Sequence, residues 1–231
     1  MKRPFTTLFM LASVDGKIST GDNDSMDVDK NFPQLKGIKE GLNQYYDIEK
    51  TTDLFSMNSG RVFAKIGIND KRDEPQKSEV SFIAVDNEPY LTEKGVAYLA
   101  KKSKKLFIAT TNKSHPAFAI KEQMLPNIEI LSYDNEIDFP NLMEKLFDCG
   151  IDRITIQCGG TLNSILVRAG LVDRVLLVVA PALIGGKDTS TIMDGESLHS
   201  TEELSKIKSL ELVRAEKLKE SYLLLEYKVN P

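Results

Sequence analysis

The stretch from residue 151 to residue 187 constrains the fold more than any other part of the chain. Residues 151–157 alternate and are rich in β-branched side chains, which predicts a strand. A Cys-Gly-Gly-Thr turn follows at 158–161, and apolar residues at helical spacing then lead to Gly170, where a helix-ending glycine is expected. Residues 172–180 are nearly all apolar, as in a strand buried on both faces. Strand, turn, helix and buried strand form a βαβ unit, which predicts an α/β fold with a mostly parallel sheet.

The glycine turn within this stretch is a candidate phosphate site. Gly159 and Gly160 allow ligand atoms to approach the backbone closely, and the first N–H groups of the next helix point outward from the same place. The pattern is neither a Walker loop nor GxGxxG, so generic motifs do not name the ligand. Plain chain geometry is the alternative, because a Gly-Gly turn before a helix also occurs without any ligand.

The rest of the chain alternates predicted strands with predicted helices. Strands are predicted at 4–12, 52–57, 80–85, 106–109 and 128–131, and helices at 32–48, 61–66, 92–102, 116–123 and 139–147. Alternating residues at 210–217 and 222–229 predict an antiparallel hairpin. We therefore predict a single domain, residues 1–231, with a mixed, mostly parallel sheet, flanking helices and an antiparallel C-terminal hairpin.

Composition excludes several classes of protein. Thirty basic and thirty-four acidic residues give a net charge of −4, so no basic excess points to nucleic acid. Cys149 and Cys158 have neither metal nor redox spacing, which predicts reduced thiols and a cytoplasmic protein. With His115 and His199 as the two histidines, no metal site is predicted. The sequence has no apolar run of membrane-spanning length and no signal peptide, so a membrane partner is not expected.

The turn after the first predicted strand carries candidate site residues. Asp15 and Gly16 form a turn signal, and Lys17 would then project at the mouth of the strand. A solvated lysine on a surface turn is the alternative. Residues 19–31 are polar and acidic and read as a loop, and a loop of this length in a compact domain is often functional.

Two further strand ends also carry candidate residues. Gly60 and Arg61 lie in a predicted strand-to-helix turn, where the arginine at the helix start could bind a phosphate bidentately; a surface ion pair is the alternative. Thr110 and Thr111 follow the strand at 106–109, and open α/β sheets bind ligands at this carboxyl end.

Separated signatures in this chain resemble those of one known family. They are GGTLN at 159–163, AGLVD at 169–173, APxxIGGK at 180–187, and an SxDGKI opening at 13–18. Together and in this order they resemble the reductase of riboflavin biosynthesis, which is the C-terminal domain of a bacterial bifunctional deaminase/reductase and a stand-alone protein in archaea and fungi. The DGE sequence at 194–196 also resembles archaeal members. The resemblance runs from about residue 4 to residue 229 and is weakest between about 22 and 75.

The resemblance implies a dihydrofolate-reductase-like fold, NADPH as the hydride donor and a homodimer. It also implies reduction of a ribosylamino-pyrimidine 5′-phosphate to its ribitylamino form. Lys17 is the predicted catalytic residue, because reduction of an opened sugar imine needs a proton source or a cation beside the hydride donor. The predicted substrate-binding residues are Asp15, Gly16, Ser25 and Gln157. The predicted cofactor-binding residues are Ser19, Gly60, Arg61, Thr110, Thr111, Gly159, Gly160, Thr161, Leu162 and Asn163.

The chain departs from the family pattern at two places. Gln157 stands where the family has the glutamate of a Glu-Gly-Gly sequence, and an amide can hydrogen-bond a hydroxyl but cannot act as a base. The family's GxGTxxxD pattern after the second strand becomes NSGRVFAK at 58–65. The Gly-Arg pair in this segment instead resembles dihydrofolate reductases, where the arginine faces the NADPH phosphates, and this favours NADPH over NADH.

These departures keep two other hypotheses open. The first is an NADPH-dependent reductase of another small carbonyl, imine or pterin-like compound, and the second is a non-catalytic nucleotide-binding dimer. A true dihydrofolate reductase is less favoured, because spacing does not single out a pterin-binding carboxylate within the 19–31 loop. The dimer interface could be formed by the tyrosine-bearing helix near residue 45 or by the C-terminal strands.

Overall fold

The structure is a computed structural model that describes residues 2–122 and 126–230. It contains two compact units. Unit 1 holds the described residues of 1–4 and 53–158, and unit 2 holds those of 5–52 and 159–231. In chain order the elements are β1 (Phe5–Ser13), α1 (Val28–Asn31), α2 (Asn43–Glu49), β2 (Phe55–Ser59), α3 (Gly60–Lys65), β3 (Ser81–Val85), α4 (Glu93–Lys102), β4 (Leu106–Thr110), α5 (Ala117–Glu122), β5 (Ile128–Ser132), α6 (Phe139–Asp148), β6 (Arg153–Ile156), α7 (Gly160–Arg168), β7 (Arg174–Ala180), β8 (Leu210–Lys217) and β9 (Leu223–Val229).

Unit 1 is a parallel sheet with helices packed against it. Its strands lie in the order β5-β4-β3-β2-β6, and each pairs in parallel with its neighbour. Short strands rich in apolar residues are buried, and α4 and α5 cover them through a core that includes Phe63, Leu99 and Ile108. Thr92 is the N-cap of α4, since its side chain accepts a hydrogen bond from the Gly95 N–H.

Unit 2 is a mixed sheet in the order β1-β7-β9-β8. β1 and β7 are parallel, whereas β7, β9 and β8 form an antiparallel set. One face of this sheet packs against the α1–α2 segment, and there Phe9 stacks on Tyr45 with ring centroids 5.0 Å apart. The ring of Tyr222 also lies in this core, and its hydroxyl donates to the Ile38 carbonyl.

The predicted secondary structure is confirmed in its main features. The strand, glycine turn, helix and buried strand from 151 onward are β6, α7 and β7, and Gly170 has the positive φ (67°) of a helix-ending glycine. The C-terminal hairpin is β8 and β9. The predicted helix at 116–123 is α5, and residue 123 lies outside the described residues. The single domain over residues 1–231 stays a prediction.

The helix predicted at 32–48 is confirmed only in its last part. A 3-10 turn covers Phe32–Gln34, and a regular helix begins only at Asn43. Gly37 has a φ of +86°, which ends any right-handed helix there, and the Tyr222 ring presses against Gly41 where a Cβ would lie only 2.6 Å away. The two glycines therefore serve a turn and a close contact that helical spacing alone does not reveal.

Candidate active site

The turn after β1 is held by the carboxylate of Asp15. This carboxylate accepts hydrogen bonds from the Ser13 hydroxyl (2.6 Å), the Gly185 N–H (2.6 Å) and the Ile184 N–H (3.1 Å). The bond from Ser13 is the largest cause of a lowered pKa, followed by the Gly185 N–H, and together they bring the pKa of Asp15 from 3.8 to about 2. Gly16 has a φ of +76°, a left-handed conformation that favours glycine.

Lys17 lies inside unit 2 rather than in solvent. Its side chain is only 9% exposed, and its Nζ donates to the carbonyl oxygens of Gly186 (2.7 Å) and Thr189 (2.8 Å). The alternative of a solvated lysine on a surface turn is therefore wrong. Asp15 and Lys17 together bind the glycine loop at 184–189, so two signatures far apart in the sequence meet in one place.

The glycine turn before α7 has one open side and one closed side. Gly159 is the N-cap with extended backbone (φ −72°, ψ 159°) and no side-chain capping bond, and among residues 2–122 and 126–230 nothing lies within 4 Å of a Cβ at this position. A Cβ on Gly160 would instead lie 2.4 Å from both the Asp194 Oδ2 and the Thr191 carbonyl oxygen. Gly159 therefore leaves room for a ligand, whereas Gly160 leaves room for the chain itself.

The segment 191–194 closes the Gly160 side of the turn. The carboxylate of Asp194 accepts bonds from the Thr191 N–H (3.0 Å) and hydroxyl (2.8 Å). Asn163 in α7 is buried and donates through Nδ2 to the Ile192 carbonyl (2.9 Å). Neither Asp194 nor Thr191 was among the predicted site residues, although the DGE signature was the signal that could have identified the first.

The remaining predicted residues of unit 2 lie either in α7 or in the 19–31 segment. Leu162 is buried in the helix and Thr161 is exposed in its first turn. Ser19 is buried and donates to the Met26 carbonyl, so it ties together the first part of the predicted 19–31 loop, whose last four residues instead form α1. Ser25 is exposed and donates to Asn23 of the same loop. No recorded contact among the described residues brings Ser25 to the Asp15–Lys17 turn.

The predicted residues of unit 1 begin at the carboxyl end of β2. Ser59 caps α3 by accepting a bond from the Val62 N–H, and Arg61 follows as an exposed residue of the first turn. Gly60 is buried, and a Cβ on it would lie 2.1 Å from the Asp86 carboxyl carbon. This glycine is therefore required by packing whether or not a ligand binds.

Asp86 organises the next two strand ends of unit 1. Its carboxylate accepts the Tyr90 N–H (3.1 Å), the Leu91 N–H (3.0 Å) and a bond from His115 Nε2 (3.0 Å). Because His115 Nδ1 accepts the Ala117 N–H, the proton of the neutral ring lies on Nε2, which donates to the carboxylate. This buried pair was not anticipated from the sequence, where Asp86 and His115 are far apart.

Thr110 and Thr111 contribute to this local framework. Thr110 is fully buried, and its hydroxyl donates to the Asp86 carbonyl (2.7 Å) and accepts the Asn112 N–H (3.1 Å). The Thr111 N–H donates to the Asn87 side chain (3.0 Å). The hydroxyl of Thr110 thus already has both a donor and an acceptor partner within the protein.

Gln157 follows β6 and is half-buried. Its Oε1 accepts a hydrogen bond from the Ser56 hydroxyl at 3.0 Å. Both residues belong to unit 1, and the bond joins the ends of neighbouring strands β2 and β6.

Comparison with known proteins decides the family. Residues 4–224 match the RibD C-terminal domain family. The chain belongs to this family. It is 26% identical over 235 residues to the 2,5-diamino-6-ribosylamino-4(3H)-pyrimidinone 5′-phosphate reductase of Methanothermobacter thermautotrophicus, covering 99% of each chain. The predicted membership of the riboflavin-biosynthesis reductases is confirmed.

Solved structures agree with this assignment at the level of the fold. RibD of Acinetobacter baumannii aligns with a TM-score of 0.66 at 12% identity, covering 99% of this chain and 59% of that one. The riboflavin biosynthesis reductase of Saccharomyces cerevisiae aligns with a TM-score of 0.62 at 15% identity, covering 99% and 90%. The chain thus spans just over half of that RibD chain, and the predicted α/β fold with a mixed, mostly parallel sheet is confirmed. Among residues 2–122 and 126–230, no helix is long and apolar enough to cross a membrane.

Proposed function

We propose that this chain is an NADPH-dependent reductase that converts a ribosylamino-pyrimidine 5′-phosphate to its ribitylamino form in riboflavin biosynthesis. The observation that carries the proposal is the contact between two family signatures, in which Asp15 and Lys17 bind the glycine loop at 184–189. The named relative that matches along 99% of both chains is a reductase of this substrate. We further propose that residues 1–231 act as a single reductase domain.

The glycine turn fits the phosphates of a nicotinamide dinucleotide. Gly159 provides no side-chain cap for α7, and its side of the turn is open as far as the residues that the structure describes extend. Helix N-termini of this kind bind phosphate through backbone N–H groups. The carboxylate of Asp194 lies on the Gly160 side, so an anion would approach from the Gly159 side, with Thr161 in the first exposed turn. Bound NADPH would supply the hydride.

Lys17 is suited to the protonation step. Its ammonium has three N–H donors, and the Gly186 and Thr189 carbonyls hold two of them. This fixes the position of the nitrogen and leaves the third N–H for a ligand, as far as the contacts of the described residues go. When the C=N bond of the opened sugar is reduced, the carbon takes the hydride and the nitrogen takes a proton. Lys17 can donate that proton and recover it from solvent.

The preference for NADPH rests on Arg61. The residue is exposed in the first turn of α3, where a guanidinium can bind a 2′-phosphate that NADH lacks. Titration of the protein with NADPH and NADH, followed by the fluorescence of the reduced nicotinamide, tests the cofactor directly. The absence of tryptophan limits interfering emission. We expect much tighter binding of NADPH, and binding of neither nucleotide would contradict the proposal.

A variant of the glycine turn tests where the cofactor binds. In Gly159→Val the new side chain fills the open space beside the turn, so the NADPH affinity should fall. An unchanged affinity would mean that the cofactor phosphates bind elsewhere.

We propose that the homodimer forms through the C-terminal strands. Tyr45, the alternative, is buried against Phe9 within its own unit. In contrast, β8 is the edge strand of its sheet, and its Leu210, Leu212 and Val213 are 46%, 56% and 60% exposed. Edge strands with exposed apolar side chains pair readily with another chain. Light scattering should report a dimer for the natural protein and a monomer for Leu212→Asp.

A cytoplasmic location stays a prediction, as does the lack of a metal requirement.

A second candidate is reduction of a different small carbonyl, imine or pterin-like compound. The amide of Gln157 in place of the family's glutamate favours this alternative, because it changes the hydrogen-bonding chemistry beside the substrate. A panel of pyrimidine and pterin substrates with NADPH separates the two. NADPH binding without turnover of any compound would instead favour a non-catalytic nucleotide-binding dimer.

A further inference from the structure

The two departures from the family pattern lie side by side in unit 1. β2 and β6 pair in parallel, with Ser56 beside Thr155 and Met57 beside Ile156. The Gln157 N–H continues this ladder by donating to the Met57 carbonyl at 2.9 Å. The next step of the register therefore brings Asn58 beside Gln157, and both side chains share the face that carries Ser56. One of these amides replaces a family glycine and the other replaces a family glutamate.

Ser56 fixes the orientation of the Gln157 side chain. Its hydroxyl donates to Oε1 at 3.0 Å and is itself buried. Because the carbonyl end of the carboxamide is held by Ser56, the NH₂ end points to the opposite side. A glutamate at this position would accept the same bond but would carry a negative charge instead of an NH₂ donor.

Asn58 carries a buried acceptor that the described part of the protein does not satisfy. The residue is 9% exposed, and its Oδ1 is buried with no hydrogen-bond partner among residues 2–122 and 126–230. An unpaired buried amide oxygen is destabilising, and native proteins keep few of them. Asparagine is also disfavoured within strands, so neither propensity nor internal bonding accounts for its presence in β2.

We propose that Asn58 and Gln157 form a neutral amide pair that determines substrate specificity. In this pair the Asn58 Oδ1 accepts a hydrogen bond from an N–H or O–H group of the ligand, and Ser56 is a positioning residue that orients Gln157. The inference rests on the proposed function. A ribosylamino-pyrimidine phosphate carries such donors on its ring and on its sugar, and recognition by two amides requires no charge on the protein.

The variant Asn58→Ala tests the acceptor. It removes no bond recorded within the described protein, so the temperature of unfolding should stay the same or rise. The KM for the ribosylamino-pyrimidine phosphate should increase about tenfold or more with little change in kcat, as expected when a buried hydrogen bond to substrate is lost. A wild-type KM combined with a lower unfolding temperature would overturn the proposal, because Asn58 would then be purely structural.

Asn127→Ala is the matched control within the same unit. The Asn127 side chain donates to the Ala100 (2.6 Å) and Ser103 (3.2 Å) carbonyls, so it is a structural amide. This variant should lower the unfolding temperature and leave the KM unchanged. Ser56→Ala should raise the KM, and Ser56→Thr should restore it because the hydroxyl is retained. Equal KM values for Ser56→Ala and the natural protein would contradict the positioning role.

Calorimetry that measures binding of the pyrimidine phosphate in the absence of cofactor separates failure of this inference from failure of the proposed function. If the natural protein neither binds nor reduces the pyrimidine phosphate, both are overturned. If it binds the compound and Asn58→Ala binds it equally well, only the inference is overturned. Binding of ribose 5-phosphate, a second probe, identifies which group of the substrate donates the hydrogen bond to Asn58 Oδ1. Loss of its binding in Asn58→Ala assigns a sugar O–H, whereas loss confined to the whole substrate assigns a ring N–H.

Discussion

Replacing Gly160 with alanine should destabilise the protein, although alanine is the better helix former. The added Cβ lies 2.4 Å from both the Asp194 Oδ2 and the Thr191 carbonyl oxygen. The carboxylate can rotate away, but the carbonyl oxygen moves only if its loop moves. Overpacking of this kind costs about 1–3 kcal/mol, and Gly→Ala within a helix recovers about 0.5–1 kcal/mol. We therefore expect a net loss of about 1 kcal/mol, and at most about 2.5 kcal/mol, in the free energy of unfolding.

Urea unfolding of Gly160→Ala and Gly159→Ala measures this difference. The two glycines are adjacent, but a Cβ on Gly159 meets nothing within 4 Å in the described part of the chain, and the extended backbone there suits alanine. Gly159→Ala should stay within about 0.5 kcal/mol of the natural protein, while Gly160→Ala unfolds at a lower urea concentration. Equal stability of the two variants would refute the argument that Asp194 and Thr191 close this side of the turn.

Three further predictions concern Asp15, the two cysteines and Arg61. The Ser13 and Gly185 bonds lower the pKa of Asp15 from 3.8 to about 2, so its stabilisation is complete above about pH 4 and is lost as the pH falls toward 2. The difference in free energy of unfolding between the natural protein and Asp15→Asn should therefore shrink as the pH falls from about 4 to about 2. A difference that stays constant over this pH range would contradict the stabilising role of Asp15. A thiol reagent should label the exposed Cys149 in the native protein. Cys158 should react only after unfolding, because it is buried and burial raises the pKa of its thiol. Labelling of both cysteines in the native protein would contradict the burial of Cys158. Arg61→Ala should reduce the preference for NADPH over NADH by about tenfold or more, and an unchanged ratio would place the 2′-phosphate elsewhere.

Local patterns in the sequence were sufficient for most of the fold. Alternation predicted the C-terminal hairpin, and the glycine at 170 ends its helix as expected. The helix predicted at 32–48 forms only from Asn43 onward, because Gly37 takes a left-handed conformation that ends a right-handed helix. Gly41 must be glycine because the Tyr222 ring, distant in sequence, packs against it. Propensity is local, whereas the partner that excludes a Cβ at this position comes from the far end of the chain.

The candidate site was predictable in its parts but not in its contacts. Motifs pointed to Lys17 and to the turn at Gly159 and Gly160, yet nothing in the sequence separates the open glycine from the closed one. The neighbouring positions of Asn58 and Gln157 depend on the register between two strands whose residues are about a hundred positions apart. Such register is set by tertiary packing, so a single sequence presents the two substitutions as unrelated.

The most direct test of the account is turnover of 2,5-diamino-6-ribosylamino-4(3H)-pyrimidinone 5′-phosphate by the purified protein with NADPH. The loss of reduced nicotinamide is followed by absorbance, and the product is identified by mass spectrometry. The account predicts oxidation of NADPH with formation of a product heavier by two hydrogen atoms, and loss of this activity in Lys17→Ala. Tight NADPH binding without any such product would contradict the proposed reaction.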